Sequence, residues 1–91
     1  MLTPVYTTQF KRDVKRAVQR GYNLEKLKKV INSLLFCKSS LPYKYKNHAL
    51  IGKFNLHREL HIEPDWILIY LISENECYFV RTGTHSDLFS K

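Results

Sequence analysis

From Trp66 to Ile72 the chain reads Trp, Ile, Leu, Ile, Tyr, Leu, Ile, with no charged or turn-forming residue among them. A strand built from such a run is apolar on both sides and must be covered on both. The run therefore predicts a central strand, Trp66 to Ser73, around which the rest of the chain is arranged. It falls well short of the ~20 residues that cross a bilayer, so no membrane role is expected. A chain of 91 residues buries roughly 60–65% of the surface its unfolded form exposes. One core is feasible at that size and two are not, so residues 1–91 are read as a single domain.

The neighbouring segments supply the partners. Leu56 to Ile62 alternates, with Leu56, Arg58, Leu60 and Ile62 on one face and His57, Glu59, His61 and Glu63 on the other. Glu74-Asn75 turns the central strand into Glu76 to Thr82 as a hairpin partner, and Thr3 to Tyr6 is a further short β-prone piece. Between them lie two helical patterns. Thr7 or Thr8 caps a helix carrying Phe10, Val14, Ala17 and Val18, which ends at Gly21. Asn23 caps a second, in which Leu24, Leu27, Ile31, Leu34 and Leu35 form one stripe. Leu41 to Asn55, with Pro42, Gly52 and interleaved Tyr and Lys residues, reads as a loop. His85 to Phe89 reads as a short helical tail. The expected order is β-α-α-β-β-β. It is an α+β fold, a twisted and mainly antiparallel sheet with a two-helix hairpin packed on one face.

The net charge of +7 is segregated. Residues 1–46 hold eleven Lys or Arg against Asp13 and Glu25, a balance of +9, while residues 47–91 carry −2 and all four histidines. The cationic half, displayed mostly on the two helices, attracts phosphate backbones and acidic protein segments alike. Cys37 and Cys77 are too far apart in sequence, and too few, for a zinc knuckle or a disulfide scaffold, and are read as reduced. Met1 to Tyr6 offers no basic stretch followed by an apolar region, so the expected location is the cytoplasm.

Chemistry resides in the histidines. His48 in the loop, His61 and Asp65 around the turn before the central strand, and His85 after the last strand converge if the strand ends coincide. No metal is expected. His57 and His61 are four apart, a ligand spacing on a helix, but on a strand they stand about 13 Å apart along its axis. Ser86, His85 and Asp87 are mere sequence neighbours, without a nucleophile elbow or an oxyanion loop.

Three stretches then form a pattern: His48-x-Leu50-x-Gly52, Arg58-Glu59-x-His61-Ile62-x-Pro64-Asp65-Trp66-Ile67-Leu68-Ile69-Tyr70, and Arg81-Thr82-Gly83-Thr84-His85-Ser86-x-Leu88-Phe89. In order and spacing they resemble the YafQ branch of the RelE/ParE toxin superfamily, and the basic helical hairpin before them extends the similarity over nearly the whole chain. Departures are Asn47 where an acid is common, Ala49 where proline is common and Phe54 where tryptophan is common.

The resemblance implies a RelE-like fold and a ribosome-dependent messenger RNA endonuclease. A cognate acidic antitoxin would neutralise it, and DNA would be contacted only through that antitoxin. It also implies that His48, His61, Asp65 and His85 are catalytic, that Arg81 holds the scissile phosphate and that Phe89 helps place the substrate. Arg58 and Lys53 are further candidate substrate contacts. The chemistry is consistent with this, because RNA carries its own nucleophile, the 2′-hydroxyl. Cleavage needs a base for that proton, a cation for the phosphorane and an acid for the 5′-oxygen. His48 or His61 as base and His85 as acid satisfy the need without a cofactor, and the two roles are exchangeable at this stage. Two rival readings are a ParE-like toxin that poisons DNA gyrase and a non-enzymatic basic nucleic-acid-binding module.

Overall fold

The computed structural model describes residues 1–36, 48–49 and 57–89, the side chains of His48 and Ala49 excepted. The elements are β1 (Thr3–Tyr6), α1 (Thr8–Gln19), α2 (Leu24–Phe36), β2 (His48–Ala49), β3 (Arg58–Glu63), β4 (Trp66–Ser73), β5 (Glu76–Gly83) and α3 (His85–Phe89). They form one sheet in the order β1-β5-β4-β3-β2, in which β1 pairs parallel with β5 and all other pairs are antiparallel. The expected α+β fold is present with one addition. The loop read from Leu41 to Asn55 contains β2, a strand of two residues and therefore too short to show any periodicity.

The central position of β4 follows from its two apolar faces. Trp66, Leu68 and Tyr70 join Leu60, Ile62, Cys77 and Phe79 under Phe10, Leu27, Val30 and Leu34 of the helices. Ile67 and Ile69 face the other way and are covered by Leu88 of α3. The tail thus lies on the sheet face opposite the helical hairpin and covers part of it. Burying Leu34, Leu60, Leu68 and Phe79 completely contributes about 1.5–3 kcal/mol each.

The helix boundaries have local causes. Thr7 Oγ1 accepts from Phe10 N–H at 3.0 Å to start α1. At its end Tyr22 N–H reaches Ala17 O and Gly21 N–H reaches Val18 O, both at 3.0 Å, with Gly21 at φ +80°. This is the Schellman arrangement, which needs a left-handed residue. Asn23 Oδ1 accepts from Glu25 N–H and opens α2.

The face α1 buries differs from the expected one. Phe10, Asp13 and Ala17 are inward and Val18 is half exposed. Asp13 displaces the apolar stripe because its carboxylate collects five hydrogen bonds, from Gln9, Arg16, Thr82 N–H and twice from Arg81. A buried carboxylate needs such satisfaction. Burial also pushes the Cys77 thiol up to about 12 and removes it from reactive chemistry. Cys37 lies outside the described residues. Among those described, no helix is long and apolar enough to cross a membrane.

Candidate active site

Strand register assembles the site. His61 pairs with Ile67, which pairs with Gly83, and Glu59 pairs with Ile69, which pairs with Arg81. Directly opposed residues share a face of an antiparallel sheet, as do residues two apart on one strand. Glu59, His61 and Arg81 are thereby placed on the face opposite the helical hairpin. His48 extends the second row, because β2 sets it opposite Glu59. Asp65 comes two residues before Ile67 and His85 two after Gly83, so the register brings the turn and the tail together.

They meet at one oxygen. Asp65 Oδ1 accepts from the His85 backbone N–H at 3.0 Å and lies 2.7 Å from His85 Nδ1. A carboxylate only accepts, so Nδ1 carries a proton and Nε2 is turned outward. The backbone N–H of His85, and then its ring, hold the Asp65 carboxyl below the usual carboxylate range. The His85 side chain is 50% exposed, open to a substrate.

His61 is fixed in the same manner. Its Nδ1 lies 3.2 Å from Pro64 O, a pure acceptor, so that nitrogen donates. Its Nε2 faces Glu59 Oε2 at 3.3 Å, so the carboxylate lies beside the ring nitrogen that Pro64 O leaves open. The His61 and His85 rings stand 5.4 Å apart between centroids, and the Phe89 ring lies 6.3 Å from that of His85, the residue being 42% exposed. The Ser86-His85-Asp87 triad is absent: His85 takes Asp65 as its carboxylate, and Asp87 takes Arg20.

Arg81 is held from behind. Its Nε and Nη2 lie 2.7 and 3.2 Å from the two oxygens of Asp13, and among the described residues its Nη1 enters no hydrogen bond. Arg58 is not brought to this cluster, because alternation on β3 sets it with Leu60 and Ile62 on the side that carries the helices. Lys53 lies outside the described residues.

Sequence reasoning missed Glu59 as a member of the site. Alternation puts Glu59 and His61 on one face, but does not show that Glu59 is 6% exposed or that its carboxylate meets the imidazole. Asp13, Arg20 and Asp87 were missed too, since a charge on a basic helix or tail carries no sign of its partner. One ligand atom each from Glu59, His61 and His85 lies within 4.8 Å of the others, a spacing that fits a cation. This trio excludes His57, as the strand distance requires.

Helices on one face of a mainly antiparallel sheet, with imidazoles and carboxylates gathered on the other, match the layout expected for a RelE/ParE-type toxin. Within that class the chain belongs to the family described as the bacterial toxin of type II toxin-antitoxin system, YafQ, whose sequence profile matches residues 2–90. It is 43% identical over 84 residues to the mRNA interferase toxin YafQ of Escherichia coli K12, covering 92% of this chain and 91% of that protein. It superposes on YafQ in the E. coli DinJ-YafQ complex with a TM-score of 0.91 at 40% identity, over 98% of this chain and 99% of that one. A metal-bound toxin from Helicobacter pylori gives a TM-score of 0.90 at 41% identity, over 98% of this chain and 100% of that one.

Proposed function

We propose that this protein is the toxin of a type II toxin-antitoxin pair, an endoribonuclease that cuts messenger RNA on the ribosome by histidine acid-base chemistry. The observation that carries the reading is the opposed pair of oriented imidazoles. His85 is held through Nδ1 by Asp65 and His61 through Nδ1 by Pro64 O, with the rings 5.4 Å apart.

The reaction divides between them. His61, backed by Glu59, takes the proton of the 2′-hydroxyl, and His48 stands next to Glu59 in the sheet as an alternative base. The 2′-oxygen attacks phosphorus, the bond to the 5′-oxygen breaks, and His85 delivers a proton to that oxygen. The products are a 2′,3′-cyclic phosphate and a 5′-hydroxyl. Arg81 offers Nη1 to the phosphorane while Asp13 keeps its other edge occupied, and the exposed Phe89 ring provides a surface on which a base can stack. Each proton-transfer group contributes roughly 100- to 10,000-fold in rate.

The basic hairpin suits an acidic antitoxin, as the DinJ partner of the E. coli relative suggests, and any DNA contact would run through that antitoxin. The expected location is the cytoplasm. Cleavage in this scheme requires no metal. A transition-metal ion would instead compete for these side chains, since Glu59, His61 and His85 would hold it with one ligand atom each and both rings are already oriented by their outer partners.

Cleavage of a reporter messenger RNA in a reconstituted translation reaction tests the reading, with DNA supercoiling by gyrase assayed in parallel. Wild type should cut and His85→Ala should not, with supercoiling untouched. Inhibition of gyrase without RNA cleavage would support the ParE-like alternative. Nucleic-acid binding with neither effect would leave the chain a binding module.

A further inference from the structure

Asp87 takes no part in this chemistry, yet its carboxylate is firmly held close to His85. Its Oδ2 accepts from Arg20 Nη1 at 2.6 Å and from Thr84 N–H at 3.0 Å, and its Oδ1 accepts from Arg20 Nη2 at 3.2 Å. Arg16 Nη2 lies 3.6 Å away. In return Asp87 N–H donates to Thr84 Oγ1 at 3.0 Å. The reciprocal Thr84 and Asp87 bonds form a capping box around the first turn of α3, and His85 lies inside that turn. The Arg20 guanidinium, ahead of the other donors, holds the Asp87 carboxyl far below the usual range.

A helix of five residues does not keep its place by itself. Its position comes from what grips it. Leu88 packs on Ile67 and Ile69 at one end, Asp65 holds the His85 ring, and Arg20 ties the capping box to the C-terminal end of α1. Room for that grip is left at Gly83, where a Cβ would stand 2.9 Å from Asp87 Oδ2 and 3.1 Å from Arg16 Nη2.

We propose that Arg20 is a positioning residue for RNA cleavage, its two-pronged grip on Asp87 fixing the first turn of α3 and hence the placement of His85 opposite His61. The proposal rests on the reading of His85 as a proton-transfer group. Arg20 acts through geometry here, not through contact with RNA, and charge separates the two roles. Arg20→Gln removes a positive charge and Asp87→Asn removes a negative one, so their effects on RNA attraction are opposite while their effects on His85 are alike. Lysine can supply the charge but not the fork, so Arg20→Lys should fall between wild type and Arg20→Gln.

The experiment measures kcat and KM of cleavage for wild type, Arg20→Gln, Arg20→Lys and Asp87→Asn, and records the His85 ring resonances of each by NMR. The expected result is a kcat lowered on the order of 10- to 100-fold in both Arg20→Gln and Asp87→Asn, with KM close to wild type. The His85 Nδ1–H signal should lose its hydrogen-bonded position in both. Urea midpoints should fall only modestly for Arg20→Gln, because the Arg20 side chain is 41% exposed although Asp87 is 13% exposed, so the variant stays folded in the assay. A raised KM with kcat intact in Arg20→Gln would overturn the proposal, as would full kcat in Asp87→Asn. An unaltered His85 signal in Arg20→Gln overturns it even if wild type cuts no RNA, which separates its failure from that of the nuclease reading.

Discussion

A single oxygen, Asp65 Oδ1, holds His85 by both its backbone N–H and its ring Nδ1, at 3.0 and 2.7 Å. The first contact fixes where the residue starts α3. The second fixes the tautomer and leaves Nε2 turned outward. Replacing the carboxylate by an amide leaves the shape but presents a group that can donate as well as accept. Asp65→Asn should therefore lower the cleavage rate roughly 100-fold, the low end of what a positioned proton-transfer group contributes. Single-turnover cleavage by Asp65→Asn and wild type checks this, and circular dichroism confirms that both are folded.

Asp13 makes the opposite kind of contribution, to stability as much as to the site. It is 2% exposed and satisfies donors on α1 and β5 together. Asp13→Ala strands those donors, and Arg81 and Arg16 recover only part of their solvation by turning to water. The expected cost is about 2–3 kcal/mol, less than for a fully buried pair. In a domain of this size that lowers Tm by roughly 10–20 °C, measurable by calorimetry.

The acid limb of stability follows from Asp65 and Asp87, both held below the usual carboxylate value of 3.8. Above that value both states bind no proton there, and the stabilisation is complete. Below it the unfolded chain takes up protons that the folded chain still refuses, so stability falls as the pH drops from about 3.8 toward the lowered folded values. Urea midpoints between pH 5 and pH 3 should show this decline, and Asp87→Asn should flatten it.

Divalent transition-metal ions should inhibit cleavage, not support it. Zinc or copper at micromolar concentration is expected to slow the wild-type reaction, and EDTA to restore it. Activity that EDTA abolishes and zinc restores would contradict the metal-free scheme. Glu59→Gln should weaken the inhibition, since it removes one of the three donors.

Much of this arrangement was legible in the residues, for reasons that can be named. The run from Trp66 to Ile72 has no solution except a strand covered on both faces, and Thr7, Gly21 and Asn23 carry local capping chemistry that tertiary structure did not override. His61, Asp65 and His85 could be singled out because their motifs are distinctive. Asp13 and Glu59 could not, because burial of a carboxylate depends on donors that arrive from distant parts of the chain. Asp13 meets Arg81 and Thr82 across 68 and 69 positions. Val18 sat in the expected apolar stripe and is half exposed, since Asp13 had rotated the buried face of α1. The two residues of β2 had no pattern to reveal them.

In the proposed scheme His85 protonates the departing 5′-oxygen. The most direct measurement compares ordinary RNA with RNA in which sulfur replaces that oxygen, because a thiolate leaves without help from an acid. His85→Ala should be slowed roughly 100-fold or more on ordinary RNA and should approach the wild-type rate on the sulfur substrate. Wild-type cleavage of ordinary RNA by His85→Ala, or a His85→Ala defect that the sulfur substrate leaves unrepaired, would contradict it.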